Sequence, residues 1–379
     1  SSVWSEATVV ATSASAITAT RPGRRASRYP IRVMVVDDSL IVRTVLSRVI
    51  DPEPDMEIVA KVSSAELALA ELARNPADIV LLDLEMPGMG GLEALPKILA
   101  AHRKVPVLVV SSLTDTGAEH TLAALAMGAA DTMLKPRSGQ FDRDYGIALL
   151  ERIRALAAPA RDGAVTAVTA RPARAAPGLR ARTAPAARPD LIAIGASTGG
   201  IHAMNLMLRS LSREVALPIL VVQHLPASFS TVFARQLELA SGRTALVATD
   251  GMAIQPGHIY VAGGEAHLVV RQQDKALVLA SQTGPAPSGC LPSVDPLLES
   301  LATHHGPRTL AVILSGMGKD GLLGARALVG TGGRIVVQDQ ASSAVWGMPR
   351  AIAEAGLAEA VLPPAEISRH IARLCGVVA

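Results

Sequence analysis

The chain has 379 residues, a formal net charge of +3, and a composition that is 49% hydrophobic but only 2% aromatic. This length predicts two or three domains, and the shortage of aromatic residues predicts aliphatic cores of the kind that surround buried parallel sheets. The positive charge is concentrated in residues 1–30 and 155–189, which have the composition of unfolded chain, so we expect no nucleic-acid partner, because such a partner needs a basic folded face or aromatic platforms.

Cysteine content and hydropathy argue against further classes of protein. The two cysteines, Cys290 and Cys375, are far apart and have no His or Cys at ligand spacing, which argues against a disulfide framework or a structural zinc site. No apolar stretch is long enough to span a bilayer, and the first thirty residues lack the apolar core of a secretory signal. We therefore expect a cytoplasmic protein without direct membrane insertion.

Two folded bodies are predicted, at residues 31–154 and 190–376. Residues 1–30 are rich in Ser, Thr, Ala and Arg without apolar periodicity, and we expect them to be a disordered tail. Residues 155–189 have the Ala/Pro/Arg-rich composition of a linker. In both bodies strand-like runs alternate with helical runs, which predicts α/β domains with doubly wound, mostly parallel sheets.

The first body contains five predicted strands with helices between them. The strands are Ile31–Val36, Met56–Val62, Asp78–Leu82, Val105–Val110 and Asp131–Leu134. The helical runs are Leu40–Ile50, Ser64–Arg74, Leu92–Ala101 and Glu119–Met127. The predicted strands of the second body are Leu191–Ile194, Pro218–Val222, Ile259–Val261, Leu268–Val270, Thr309–Leu314 and Gly333–Gln338.

Polar side chains follow the strands of the first body at one edge of its predicted sheet. Asp37 and Asp38 follow the first strand, and Asp83 follows the third. Ser111 follows the fourth strand and Lys135 the fifth. Clustered carboxylates repel one another unless a cation lies among them, and such hard oxygen ligands suit Mg²⁺. A carboxylate beside Mg²⁺ can attack a phosphoryl donor and become an acyl phosphate, whose oxygens the hydroxyl and the lysine can hold.

On these five residues, the first body resembles a two-component receiver domain, which has a flavodoxin-like fold. The resemblance implies phosphorylation of Asp83 by a histidine kinase, phosphate binding by Ser111 and Lys135, and a further metal ligand from the backbone carbonyl of Glu85. The alternative is a surface cluster of acids that only keeps an α/β domain soluble. Thr132 departs from the pattern, since receivers often carry an aromatic switch residue at this position.

The predicted sheet of the second body collects a serine, a histidine and an aspartate at the same kind of edge. Ser197, His224 and Asp320 each follow the carboxyl end of a strand. In such a trio the histidine takes the proton of the serine, and the aspartate fixes the tautomer of the ring and stabilises its charged form. The stretch Gly195-Ala196-Ser197-Thr198-Gly199 also satisfies G-x-S-x-G, the bend between strand and helix that exposes a nucleophile.

Several other interpretations compete with this one. A dinucleotide fingerprint is disfavoured because Ser197 occupies the place of its second glycine, and the segment near position 220 ends in His224 instead of an acid. A lipase-like fold is disfavoured because its chain order is Ser, Asp, His. Taken singly, Ser197 can be a helix N-cap, His224 a structural histidine and Asp320 a turn residue. The side chain of His202, five positions after Ser197, is expected to point away from the edge of the sheet where Ser197 lies.

The combination resembles the Rossmann-like catalytic domain of the chemotaxis response-regulator protein-glutamate methylesterase family. The stretches that carry the resemblance are IGASTGG (194–200), VVQHLP (221–226), PSVDPL (292–297), ILSGMGKDG (313–321) and QDQASSAVWGMPR (338–350). It implies that Ser197 is the nucleophile, His224 the general base and acid, and Asp320 the residue that orients the ring. It also implies an oxyanion-hole donor at the backbone of Met317 and no cofactor in the esterase site. Cys290-Leu291 departs from the His-Arg that the family often carries beside the cleft.

Together the two resemblances imply a phosphorylation-activated enzyme of bacterial chemotaxis, with a chemotaxis histidine kinase and methyl-accepting chemoreceptors as partners. The enzyme is expected to hydrolyse glutamate γ-methyl esters with release of methanol, and to deamidate glutamines by the same serine acyl-enzyme route. Phosphorylation of Asp83 is expected to uncover the cleft around Ser197. Two alternatives stay open: a serine hydrolase that acts on another acyl substrate, and a non-enzymatic response regulator that acts by protein binding.

Overall fold

A computed structural model of the chain describes residues 29–101, 105–112, 115–135, 143–162 and 187–377. The predicted tail at residues 1–30 lies outside these ranges except for its last two residues, and most of the predicted linker, residues 163–186, lies outside them as well. Within the described ranges, no helix has the length and apolar character that crossing a membrane requires.

The first domain is a five-stranded parallel sheet with helices on both faces. Its strands, in chain order, are β1 (Ile31–Val36), β2 (Met56–Val62), β3 (Ile79–Leu82), β4 (Val107–Ser111) and β5 (Asp131–Leu134). Its helices are α1 (Leu40–Ile50), α2 (Ala65–Arg74), α3 (Gly91–Ala101), α4 (Asp115–Met127) and α5 (Arg143–Asp162). The strand order is β2-β1-β3-β4-β5, so the winding direction reverses between β1 and β3, where open sheets form their ligand crevice.

The alternation of side chains along β1 explains the two helical layers. Val33 and Val35 pack in the core cluster that contains residues of α1 and α5. Met34 and Val36 pack in the cluster that contains residues of α2, α3 and α4. Both faces of the strand are therefore buried from Val33 to Val36, which is why this part of its sequence is apolar throughout.

Helix α5 extends beyond the predicted boundary at residue 154 and ends at Asp162. Leu149, Ile153, Leu156 and Ala157 recur at helical spacing on its buried side, so the apolar stripe continues into the Ala-rich sequence. Residues 155–162 of the predicted linker are therefore helical.

The second domain is a seven-stranded parallel sheet in the order β14-β13-β12-β6-β7-β9-β8, with an additional antiparallel hairpin of β10 and β11. Its strands are β6 (Leu191–Ala196), β7 (Ile219–Gln223), β8 (Ala245–Val247), β9 (Ile259–Val261), β10 (His267–Gln273), β11 (Ala276–Gln282), β12 (Thr309–Ile313), β13 (Arg334–Gln338) and β14 (Ala360–Leu362). Its helices are α6 (Gly200–Ser210), α7 (Ser230–Ser241), α8 (Val294–His304), α9 (Leu322–Gly330), α10 (Met348–Glu354) and α11 (Pro364–Leu374). The predicted fold class, two α/β domains with mostly parallel sheets, is confirmed.

Three strands of this domain, β8, β11 and β14, were not predicted from the sequence. β8 and β14 have three residues each and contain Ala and Leu, whereas the equally short β9, which was predicted, consists of the strong strand formers Ile, Tyr and Val. β10 and β11 are joined at Asp274 and Lys275, which both have positive φ. Asp-Lys is a much weaker signal for this kind of turn than Asn-Gly or Asp-Gly, so the sequence does not announce the hairpin.

The two domains pack against each other through α4, which contacts α6 and α7. One buried apolar cluster runs from Leu122 and Leu125 of the first domain to Ile201 and Phe229 of the second. At the edge of this cluster, Nε2 of Gln236 donates a hydrogen bond to the carbonyl of Leu122 at 2.9 Å. The first domain therefore lies against the carboxyl-end side of the second sheet, next to the predicted site.

Candidate functional site

A sharp bend between β6 and α6 carries Ser197. The strand ends at Ala196 and the helix begins at Gly200, so the serine lies at the carboxyl end of a central strand. Gly199 has a φ of 76°, and a Cβ atom on it would lie 2.5 Å from the Cβ of Ala344, so this position requires glycine. Gly199 is also the N-cap of α6 and no side chain caps the helix, so the interpretation of Ser197 as a helix cap is wrong.

Neighbouring strands hold the main chain of Ser197 in place. Its N–H donates to the carbonyl of Ser315 at 3.0 Å, and its carbonyl accepts a hydrogen bond from Nε2 of Gln223 at 2.9 Å. A Cβ atom on Gly316 would lie 2.9 Å from the Cβ of Ser197, so the loop after β12 passes directly against the bend. Within the described chain the Ser197 hydroxyl makes no hydrogen bond, which leaves it uncommitted. Sequence reasoning did not identify Gln223 or Ser315.

His224 and Asp320 meet at the same edge of the sheet. His224 directly follows β7, and its N–H donates to the carbonyl of Ala196 at 3.1 Å. Its Nε2 lies 2.7 Å from Oδ2 of Asp320, which is 96 residues away in sequence. Ser197 and His224 line one cavity of about 260 Å³, and no hydrogen bond joins the serine hydroxyl to the ring among the described residues. The structure thus brings the three predicted residues together, with the histidine–aspartate pair formed.

Asp320 is buried at the N-terminus of α8. The N–H of Val294 donates to its Oδ2 at 2.7 Å, and the hydroxyl of Ser293 donates to its Oδ1 at 2.6 Å. The N–H of Ser293 in turn donates to Nδ1 of His267 at 3.0 Å, which holds Ser293 in place. Burial raises the pKa of Asp320, but hydrogen bonds from His224, Ser293 and Val294 outweigh it and lower this pKa to about 2. The carboxylate is therefore ionised at neutral pH.

The surroundings of His224 favour its charged form. Burial lowers the pKa of His224, but the interactions with Asp320 and Cys290 outweigh burial and raise this pKa to about 9. An imidazolium has no lone pair that can accept a proton, so the ring must lose a proton before it can act as a base. The contribution of Cys290 is not visible in the sequence, since this residue is 66 positions from His224.

The loop after β12 carries a free backbone donor at Met317. In the described chain no acceptor contacts its N–H, whereas the N–H of the preceding Gly316 donates to the carbonyl of Val345 at 3.0 Å. Gly316 packs against the Ser197 bend, so an unpaired donor directly follows a residue that touches the serine. Preorganised N–H groups of this kind can stabilise an oxyanion.

The first domain covers the serine bend. Asp131, the first residue of β5, accepts a hydrogen bond of 2.7 Å from the hydroxyl of Thr198, the neighbour of Ser197. Nδ1 of His202 lies 3.0 Å from the carbonyl oxygen of Ala126 in α4. The expectation that His202 points away from the edge of the sheet at Ser197 is wrong, because His202 lines the same cavity as Ser197. Residues of the first domain therefore close one side of this cavity.

The position where receivers often carry an aromatic switch residue also faces the domain boundary. Thr132 lines the cavity, and its carbonyl accepts a hydrogen bond from Arg152 at 3.1 Å. Its hydroxyl is buried and has no hydrogen-bond partner in the described part of the chain. Arg152 also lies 3.5 Å from Asp131. A polar cluster of Thr132, Arg152 and Asp131 thus occupies the place where many receivers carry an aromatic ring.

The acidic pocket of the first domain assembles at the β1–β3 edge as predicted. One carboxylate oxygen from each of Asp37, Asp38 and Asp83 lies within 4.8 Å of the others. Nζ of Lys135 lies 3.0 Å from Asp37 and 2.7 Å from Asp83. Ser111 is buried, and its hydroxyl has no hydrogen-bond partner among the described residues. The pocket therefore combines clustered carboxylates, one ammonium group and one unsatisfied hydroxyl.

Burial and ion pairing oppose each other in this pocket, and burial prevails only at Asp83. It raises the pKa of Asp83, and the ion pair with Lys135 offsets only part of this effect. For Lys135, burial lowers the pKa, but the interactions with Asp83 and Asp37 outweigh burial and raise it. The N–H of Glu85 donates to Oδ1 of Asp83 at 3.1 Å, which fixes the start of the following loop. Oxygen ligands of this kind fit Mg²⁺. The unsatisfied hydroxyl of Ser111 is suited to donate a hydrogen bond to a phosphoryl oxygen.

Comparison with known proteins assigns both domains to known families. Residues 33–140 match the family model of the response regulator receiver domain, and residues 192–371 match that of the CheB methylesterase. A protein-glutamate methylesterase/protein-glutamine glutaminase of Paramagnetospirillum magneticum is 43% identical over 367 residues, which cover 91% of this chain and 96% of the relative. One of Azospirillum brasilense is 40% identical over 373 residues, with 92% and 94% covered. The crystal structure of the Thermotoga maritima CheB methylesterase catalytic domain is 34% identical and covers 50% of this chain and 100% of that chain, with a TM-score of 0.48. The chain therefore belongs to the family of protein-glutamate methylesterases/protein-glutamine glutaminases that carry a receiver domain.

Proposed function

We propose that Ser197, His224 and Asp320 are the catalytic triad that removes methyl groups from glutamate γ-methyl esters of chemoreceptors. As a member of the methylesterase family, the chain is a carboxylic ester hydrolase regulated by phosphorylation. One observation carries the assignment of residues. It is the 2.7 Å hydrogen bond between His224 and Asp320, beside a cavity that the uncommitted hydroxyl of Ser197 also lines. Family membership does not favour the two alternatives, a hydrolase of another acyl substrate and a non-enzymatic regulator.

The triad works through proton transfers at the ring of His224. Asp320 stays ionised, holds one ring nitrogen, and stabilises the imidazolium that forms when the other nitrogen takes the proton of Ser197. The serine oxygen attacks the ester carbonyl, and the oxyanion is stabilised by the N–H of Met317. His224 then gives its proton to the departing methoxide, which leaves as methanol. Water deprotonated by the same ring cleaves the acyl-enzyme and leaves glutamate; with glutamine, ammonia leaves in the first step.

The receiver pocket supplies the switch. Asp37, Asp38 and Asp83, with the backbone carbonyl of Glu85, would hold Mg²⁺, which when bound neutralises charge on a phosphoryl donor. The carboxylate of Asp83 accepts the phosphoryl group from a histidine kinase, and the hydroxyl of Ser111 and the ammonium of Lys135 bind its oxygens. The unsatisfied Ser111 hydroxyl supports this assignment.

Strand β5 connects the switch to the esterase. Lys135 directly follows β5 and is ion-paired with Asp83, while Asp131 begins the same strand and accepts the hydrogen bond from Thr198. Phosphorylation removes the free carboxylate that Lys135 now contacts, so Lys135 must find new partners on the phosphoryl group. A shift of β5 that follows this exchange breaks the bond between Asp131 and Thr198 and opens the cavity beside Ser197.

The proposed reaction and the proposed switch each require a partner protein. The phosphoryl donor is a chemotaxis histidine kinase, and the ester and amide substrates are side chains of methyl-accepting chemoreceptors. Because the receptor helices that carry these side chains and the kinase lie in the cytoplasm, the enzyme acts there.

Methanol release from methyl-labelled receptor membranes tests this function. Purified full-length protein is incubated with and without acetyl phosphate, and its rate is compared with that of Ser197→Ala. We expect Ser197→Ala to lower the rate by at least about 10⁴-fold, because the nucleophile is gone. Ser210→Ala is the matched control, since this serine lies at the exposed end of α6 and its hydroxyl donates a hydrogen bond to the carbonyl of Leu206. Methanol release that survives Ser197→Ala would contradict the triad.

A further inference from the structure

A third side chain approaches the histidine–aspartate pair. The Sγ atom of Cys290, a ring nitrogen of His224 and a carboxylate oxygen of Asp320 all lie within 4.8 Å of one another. These three residues come from separate loops, after β11, β7 and β12. Cys290 has no role in the triad mechanism, so its position calls for a separate explanation.

The three groups match the ligand preferences of zinc. Thiolate sulfur, imidazole nitrogen and carboxylate oxygen are the three side-chain ligand types of Zn²⁺. Bond lengths of about 2.0–2.3 Å in a tetrahedral site separate the ligand atoms by roughly 3.3–3.8 Å. Starting from separations of at most 4.8 Å, shifts of about 1 Å complete the coordination. The set of donors differs from the all-oxygen pocket at Asp83, which suits a hard cation.

A cavity gives a metal ion room and access. Cys290 is half-buried and lies, with Asp320 and Met317, on the wall of a cavity of about 330 Å³. The neighbouring Leu291 is exposed, so this loop lies at the surface of the molecule. An ion can therefore reach the thiol from solvent, and water can fill the fourth position of a three-ligand site.

We propose that Zn²⁺ binds Cys290, His224 and Asp320 and reversibly inhibits the esterase. Zinc bound in place of the hydrogen bond between Nε2 of His224 and Asp320 leaves the ring proton on Nδ1, which is then unable to accept the proton of Ser197. A carboxylate that coordinates zinc also no longer orients the ring. The two metals then have opposite effects on one chain. Mg²⁺ at the receiver pocket supports activation, and Zn²⁺ at the triad blocks the step that activation serves.

The test measures zinc binding and zinc inhibition on the full-length protein. Binding is followed by equilibrium dialysis in a zinc buffer, and methanol release is followed in the same buffer, with each rate expressed relative to that protein's own zinc-free rate. We expect one zinc ion per chain at this site, inhibition that a zinc-selective chelator reverses, and no inhibition by Mg²⁺. Cys290→Ser should weaken binding and raise the inhibitory zinc concentration at least about tenfold, since one of three ligands is lost.

Further variants separate coordination from a merely structural role of the loop. Cys290→His keeps a zinc ligand and should keep zinc inhibition, whereas Cys375→Ala, at the other and distant cysteine, should leave zinc binding unchanged. Co²⁺ bound to wild type should give a sulfur-to-cobalt charge-transfer band that Cys290→Ser and Cys290→His both lack. Equal zinc binding and inhibition in wild type and Cys290→Ser would overturn the proposal, and so would zinc binding that Asp83→Asn alone abolishes. The dialysis and the cobalt spectrum need no turnover, so they report on the metal site even where the proposed substrate is wrong.

Discussion

The two sites of this molecule, the acidic pocket of the first domain and the triad of the second, use a buried aspartate in opposite ways. Asp83 and Asp320 both follow buried parallel strands, and both are almost completely buried. Burial raises the pKa of Asp83, which accepts one N–H besides its ion pair with Lys135. The pKa of Asp320 falls to about 2, because Ser293, Val294 and His224 all donate to it. Burial alone therefore does not set the role of a buried acid; the number of donors around it does.

This difference suits the two functions. The charge of Asp320 is satisfied from within the protein, so the residue is a fixed part of the esterase and keeps the ring of His224 oriented. The carboxylates around Asp83 are left with an unsatisfied hydroxyl at Ser111 and with mutual repulsion, so that pocket is suited to a cation and a phosphoryl group from outside. The triad is therefore a fixed site and the receiver pocket a changeable one.

The largest effect is expected at the fixed acid. Asp320→Asn preserves shape but removes the charge that stabilises the imidazolium and selects its tautomer, so kcat for methanol release should fall by about 10⁴-fold. Asp295→Asn is the matched control, because Asp295 is a buried neighbour that accepts the N–H of Gly324 and has no hydrogen bond to His224 among the described residues. A loss in Asp320→Asn no larger than in Asp295→Asn would show that the bond to His224 has no catalytic role.

A smaller effect is expected at the contact between the domains. Asp131→Ala removes the hydrogen bond to Thr198, a charge-assisted bond that contributes about 1.5–3 kcal/mol to the closed arrangement. The rate of methanol release without acetyl phosphate should therefore rise by about 10- to 150-fold, while the phosphorylated rate stays close to that of wild type. Asp144→Ala, at an exposed acid in the first turn of α5, serves as control and should change neither rate. An unchanged basal rate in Asp131→Ala would show that the hydrogen bond between Asp131 and Thr198 does not hold the enzyme in its closed state.

The smallest effect concerns stability far from both sites. Glu359 accepts hydrogen bonds from Arg334 at 2.7 Å and His370 at 2.8 Å. Burial raises the pKa of Glu359, but these partners outweigh burial and lower it from the ordinary value of 4.5. A lowered pKa stabilises the fold above pH 4.5, and this stabilisation is lost as the pH falls through the folded-state value. Glu359→Gln should therefore lower the free energy of unfolding at pH 7 by about 1–3 kcal/mol.

Thermal unfolding at several pH values measures this effect. The difference in Tm between wild type and Glu359→Gln should shrink as the pH falls below 4.5, because protonation removes the same charge in wild type. Glu366→Gln, at an exposed ion pair with Arg369, should give a smaller difference at pH 7. A Tm difference that stays constant with pH would show that the charge of Glu359 contributes nothing.

Much of both sites follows from the sequence, because the carboxyl ends of parallel strands share one edge. That rule is enough to bring Asp37 near Asp83, and His224 near Asp320 across 96 residues. The fold class follows for the same reason, since apolar runs of strand length alternate with helical runs. The edge strands β8 and β14 do not follow, because three residues that include Ala and Leu give no strand signal. The end of α5 does not follow either, because an Ala-rich helix resembles an Ala-rich linker.

The remaining features depend on the paths of loops and on contacts between domains, which local patterns do not encode. His202 was assigned to the helix correctly, but its contact with Ala126 exists only because α4 packs on α6. The contact of Asp131 with Thr198 has the same origin. Cys290 reaches His224 through a loop after β11, a strand that the sequence did not reveal.

The central claim is that the unphosphorylated receiver covers Ser197 and that phosphorylation of Asp83 uncovers it. The most direct measurement is the rate at which a fluorophosphonate probe labels Ser197 in the full-length protein, with and without acetyl phosphate, with Ser197→Ala as the blank. We expect acetyl phosphate to accelerate labelling at least about tenfold in wild type, which corresponds to a shift of about 1.4 kcal/mol toward the open state, and to leave Asp83→Asn unaffected. Equal labelling rates with and without acetyl phosphate in wild type would contradict the account.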